Sequence, residues 1–122
     1  MKKRVVLFLC DPVLRKLFAR KLEAEGFDVV QVAEVGDLVR KASGKPVAGV
    51  LLDLSCALTP EELIKKVTAS PVLNRAFRAL YSPKLLPQDI DAIRQQKVHA
   101  VYIGSLMSPQ EIVEHFSEEL SA

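Results

Sequence analysis

Five short apolar runs alternate with five helix-spaced segments along the 122 residues, and this alternation limits the fold more than any other feature of the chain. The runs are RVVLFLC at 4–10, FDVVQVA at 27–33, VAGVLLDL at 47–54, AFRALYS at 76–82 and VHAVYIG at 98–104. The first and third are nearly continuous in Val, Leu and Phe, the composition of strands buried on both faces. The segments between them carry helix signals. Asp11 then Pro12 reads as an N-cap followed by the first helical residue. Val13, Leu14, Leu17, Phe18 and Leu22 share one face of that helix, and Gly26 stops it. Residues 34–43 fit a short second helix. Thr59-Pro60-Glu61-Glu62 and Ser108-Pro109-Gln110-Glu111 are capping boxes that open the third and last helices. Residues 87–96 fit a fourth, weakly amphipathic helix through Ile90 and Ile93. Strands alternating with helices of this length pair in parallel through right-handed crossovers. The expectation is an α/β protein, a single domain over 1–122 with a doubly wound (βα)5 sheet covered on both faces.

Composition narrows the functions. No apolar run approaches the ~20 residues a membrane helix needs, and the basic, apolar start lacks a small-residue cleavage site. A cytoplasmic chain with no membrane contact is expected. A net charge of +2 is too small to imply nucleic acid, and no aromatics interleave the basic residues, so no nucleic-acid partner is expected. The basic start (Lys2, Lys3, Arg4, Arg15, Lys16, Arg20, Lys21) and the acidic end (Glu111, Glu114, Glu118, Glu119) read as two solvated helix faces that attract each other if they are neighbours. No Cys/His cluster has zinc spacing.

In such a sheet, ligand chemistry belongs at the carboxyl ends of the strands. The sequence puts Leu9, Cys10 and Asp11, then Asp53, Ser82, and Gly104 with Ser105 at those ends.

Taken together, these passages resemble the receiver domains of two-component response regulators over nearly the full length. The resemblance rests on the apolar strand followed by D-P and a helix containing Arg15, on EAEGFDVVQVA, on VLLDLS, on ALYS, and on AVYIGSLMSPQEIV. It implies a flavodoxin-like sheet in strand order 2-1-3-4-5. It also implies that Asp53 stands at the phosphoacceptor position and that Ser55 contributes the backbone carbonyl beside Mg²⁺. Ser82 and Tyr102 fall on the switch hydroxyl and switch aromatic. The departures are large. The acidic pair falls on Leu9 and Cys10, the phosphate-contacting lysine on Gly104 or Ser105, and the loop after the acceptor is SCALTP.

Phosphoryl transfer to a carboxylate needs Mg²⁺ and a positive charge to neutralise the transferring oxygens. Mg²⁺ wants hard oxygen ligands; leucine offers none and a thiol is soft. The expectation is therefore a degenerate, non-enzymatic pseudo-receiver with no catalytic residue, no metal and no cofactor. It would bind a protein partner or dimerise through the fourth helix, fifth strand and fifth helix. The alternative is a phosphorylatable receiver with an unusual Mg²⁺ site built from Asp11, Asp53 and Ser55. A small enzyme or ligand binder on the same sheet is a third reading, but no glycine-rich phosphate loop supports it.

Each residue has a plainer reading. Asp53 is a strand-end carboxylate capping nearby amides, and Asp11 is a helix cap. Ser82 starts a turn, and Tyr102 is a half-buried strand aromatic. His99 has no partner at useful spacing, and His115 is a solvated neighbour of Glu111 and Glu119. Cys10 and Cys56 come near each other if the first and third strands are adjacent. They are then either a redox pair or, more commonly, buried thiols that fill space.

Overall fold

The computed structural model describes residues 2–55, 59–84 and 98–121. Strands β1 (Arg4–Phe8), β2 (Asp28–Val32), β3 (Gly49–Asp53), β4 (Phe77–Ser82) and β5 (Ala100–Ile103) form one parallel sheet in the order β2-β1-β3-β4-β5. The α/β architecture and its strand order are those expected. The helices are α1 (Pro12–Ala24), α2 (Leu38–Ala42) preceded by a 3₁₀ turn (Val35–Asp37), α3 (Pro60–Thr68), a one-turn α4 (Pro71–Asn74) and α5 (Pro109–Ser121). The fourth helix expected at 87–96 lies outside the described residues.

Alternation along the strands splits the core in two. Val5, Leu7, Leu9, Leu51 and Tyr81 pack with Phe18 and Leu22 of α1 and with Ile112, Phe116 and Leu120 of α5. Val6, Phe8, Val50, Leu52 and Leu80 pack on the other face with Leu38 of α2 and with Leu63, Ile64 and Val67 of α3. Every residue of β3 is buried, which explains its nearly unbroken apolar sequence.

The ends of the elements follow local chemistry. Asp11 accepts hydrogen bonds from the Val13 and Leu14 amides at 2.9 and 3.3 Å and starts α1. Gly26, at φ +95°, ends it: Gly26 N–H donates to the Glu23 carbonyl and Phe27 N–H to the Leu22 carbonyl. This is the paired-bond C-cap that favours glycine. Before α5 the capping box closes in both directions, from the Glu111 amide to Ser108 Oγ and from the Ser108 amide to Glu111 Oε1. The helix expected over 34–43 is shorter than that. Its first turn is 3₁₀, and Glu34 and Asp37 make no side-chain cap bond. Arg4 instead secures the far end of α2 by donating to the Lys41, Ala42 and Ser43 carbonyls.

Candidate functional site

Asp53 ends β3 at the carboxyl edge of the sheet and is 2% exposed. Burial makes its hydrogen bonds obligatory. Oδ1 accepts from the Ser55 amide at 2.8 Å and from Ser55 Oγ at 2.5 Å, while Oδ2 accepts from the Cys10 amide at 3.2 Å. The carboxylate thus joins the turn after β3 to the residue that precedes α1's cap. Its oxygens are engaged by donors of the chain itself.

Leu9 is 0% exposed and lies within the α1/α5-side core. A carboxylate there would sit among Val5, Leu7, Phe18 and Leu51 rather than in an open cleft. Asp11 is exposed, and its Oδ1 serves the α1 amides. Arg15, from the first turns of α1, donates to the Leu9 carbonyl at 2.8 Å.

Cys10 departs from the reading of a buried, space-filling thiol. It is exposed and disulfide-bonded. The physical reason is the turn: β1 closes at Phe8, Leu9 is the last buried residue, and the Asp11 cap swings the chain outward. Cys56, the chain's only other cysteine, lies outside the described residues.

The corner assigned to lysine is occupied. Tyr81 pairs in register with Asp53 across β3 and β4, and its hydroxyl lies where a Cβ on Gly104 would stand. Its ring meets Phe18 edge-on, with centroids 5.7 Å apart. Burial, reinforced by the Asp53 and Asp11 charges, raises the Tyr81 pKa. Glycine at 104 is what permits this close approach. Ser105 is exposed in the loop that follows. Tyr81 is the residue sequence reasoning missed. Its only signal was a large strand aromatic and a glycine just past the end of the next strand, which means nothing until the β4–β5 pairing is known.

The two residues that the resemblance placed at the switch positions also have partners. Ser82 is 6% exposed and its hydroxyl donates to the Lys84 carbonyl at 3.0 Å. Tyr102 is fully buried rather than half-buried, with its hydroxyl 2.7 Å from His115 Nδ1. Burial, aided by the Glu119 charge, pushes the phenol pKa well up. His115 is therefore more than a solvated neighbour of acids: it bonds Tyr102 on one side and has Glu119 Oε1 3.6 Å from Nε2 on the other. His99 also gains partners, accepting from the Arg78 amide at 2.9 Å and stacking on Phe77.

α1 and α5 are neighbours. Lys21 Nζ reaches Gln110 Oε1 at 2.9 Å across them. The positions expected for the acidic pair hold an apolar core leucine and a disulfide-bonded cysteine, Asp11 serves the start of α1, and Asp53 accepts from three donors. Among the described residues, no three His, Cys, Asp or Glu side chains come together as a metal site. A described cleft lies elsewhere, at the amino edge of the sheet, lined by Lys2, Lys3, Arg4, Asp28, Lys45 and Pro46. Among the described residues, no helix is long and apolar enough to cross a membrane.

No protein-family model matches the sequence, and no curated protein does. Solved structures do resemble the fold. A response regulator receiver domain protein (CheY-like) from Methanospirillum hungatei superposes with a TM-score of 0.84 at 17% identity, over 99% of this chain and 95% of that one. The receiver domain of a sensor histidine kinase from Pseudomonas aeruginosa, with magnesium coordinated in its active-site cleft, gives 0.81 at 17% identity over the full length of both chains. An orphan response regulator of H. pylori gives 0.82 at 13%, over 97% and 96%. At such identities the likeness is one of fold.

Proposed function

We propose that this chain is a receiver-shaped signalling module that acts by docking, to a protein partner or to a second copy, and not by accepting a phosphoryl group. One observation carries the reading: the Asp53 carboxylate is buried and binds the Cys10 and Ser55 amides and the Ser55 hydroxyl. To attack phosphorus it would have to surrender those donors. Leu9, Gly104 and Ser105 supply neither the metal ligand nor the cation that would repay the loss. The docking face follows from the family resemblance: the segment at 87–96, β5 and α5. α5 contributes exposed Glu111, Glu114, Glu118 and Glu119, a surface suited to a basic partner.

Incubation with acetyl phosphate, and separately with beryllofluoride, each with Mg²⁺, tests this. The expected intact mass carries no phosphoryl adduct, and the Asp53 and Ser55 resonances do not shift. A stoichiometric adduct at Asp53 would establish the alternative, a phosphorylatable receiver using Asp11, Asp53 and Ser55. That alternative draws its support from the position of Asp53 at the end of β3 and from the fold shared with a magnesium-binding domain.

A further inference from the structure

We propose that the outward face of α1 and α5 is a self-association surface, on which a second copy of this chain docks with its α1 over α5 and its α5 over α1. Among the described residues, three large apolar side chains stand exposed: Val13 and Leu106 at 76% and Leu17 at 39%. Val13 and Leu17 lie one turn apart on α1, on the side opposite buried Phe18 and Leu22. Leu106 sits in the turn that leads from β5 into α5. One turn beyond Leu17 in the same row is Lys21, whose Nζ reaches Gln110 Oε1 in the first turn of α5. That bond sets the two helices alongside each other, with all three apolar groups at the carboxyl-edge end of the pair.

Charge says what covers this face. Farther along, α1 exposes Lys16 and Arg20, and α5 exposes Glu114 and Glu118. Glu114 accepts from Gln110 Nε2 at 3.0 Å, which puts it on the side of α5 that borders α1. Among the described residues no ion pair crosses between the two helices; the pairs formed are Arg40 with Asp37 and His115 with Glu119. A basic ridge and an acidic ridge thus run side by side, each still open to an opposite charge. A partner must offer the same two charges in reversed order, and a second copy related by a two-fold axis does so.

The direction of that axis follows. An axis across the helices would lay α1 on α1 and α5 on α5, opposing like charges. An axis along the seam lays α1 of each copy on α5 of the other, running the same way. Arg20 of each copy then faces Glu114 of the other, and the apolar ends coincide, so that Val13 and Leu17 meet the other copy's Leu106. Two helix faces per copy make an interface near the small end of the specific range, so the dimer is weak.

The contact uses the α1 side of α5, whereas His115 on the far side of that helix meets Tyr102 of β5. It therefore stands apart from the docking face at 87–96, β5 and α5, and from any phosphorylation of Asp53. Sedimentation velocity of the full chain from about 1 µM to about 1 mM, without a phosphate donor, tests it. A monomer–dimer equilibrium is expected, weakened by about tenfold when salt rises from about 50 mM to about 500 mM. Val13→Asp, at an exposed site, should abolish the dimer while its melting temperature stays that of wild type. Arg20→Glu and Glu114→Lys should each weaken association by about tenfold, because each change acts twice in the dimer, and the double variant should recover it. A strict monomer at about 1 mM would overturn the proposal and leave the face to a partner of different sequence. So would a dimer untouched by Val13→Asp, or a double variant no better than either single one. Species larger than a dimer would also overturn it, since a two-fold contact closes on itself.

Discussion

Adjacent strands β1 and β3 end in opposite ways. β1 runs into a buried leucine, an exposed cysteine and an exposed aspartate; β3 runs into a buried aspartate and a half-exposed turn. Both ends carry a carboxylate, and both carboxylates are acceptors for the chain's own amides. Asp11 holds a helix start at the surface, where water can substitute for it. Asp53 holds two turns together from inside, where water cannot reach to substitute for it. The difference teaches that residue type at a strand end says little about chemistry until one knows which donors already face the group.

The comparison breaks most sharply if an acid is put back at the end of β1. Leu9→Asp inserts a carboxyl group into the α1/α5 core and should cost about 5 kcal/mol, combining lost apolar burial with an unsatisfied polar group. A urea midpoint near that of wild type, or better with added Mg²⁺, would show that the position opens to solvent. Reducing the disulfide at Cys10 should lower stability by about 2–4 kcal/mol; calorimetry with and without reductant reads it. Asp53→Ala should cost about 3 kcal/mol, because the Cys10 and Ser55 amides lose a charged, buried acceptor. Asp11→Ala, at an exposed cap, should cost only about 1 kcal/mol. If equilibrium unfolding of these two variants gave equal losses, the contrast between buried and exposed carboxylates would fail.

The smallest effect is a pH dependence away from this edge. Tyr102 has a raised pKa in the folded chain, so the folded state holds its proton more tightly than the unfolded one. Its contribution is complete below the ordinary tyrosine value of about 10 and is lost as pH rises beyond it. Melting temperatures followed from pH 8 to 11 should therefore fall more steeply for wild type than for Tyr102→Phe.

The strands and the main helices were legible because they depend on local signals: unbroken apolar runs, Asp-Pro and Ser-Pro starts, and Gly26 at a left-handed stop; the strand order came from the receiver-domain resemblance alone. The edge was only half legible. That Leu9 and Gly104 cannot serve as metal ligand and cation follows from their chemistry alone. What surrounds them is non-local. Tyr81 comes to Gly104 only through strand pairing, Asp53 receives a donor from the β1–α1 turn, and Tyr102 meets His115 only once α5 lies against β5. The short first turn of α2 illustrates a local failure, since apolar spacing suggested a helix that lacked a capping side chain.

The phenol lodged against Gly104 also makes residue 104 hard to substitute. A lysine introduced there would collide with Tyr81, while shrinking Tyr81 first would leave the edge of Phe18 facing a void. Neither half-step is favoured without the other, so placing a cationic side chain at this corner requires changing both residues together.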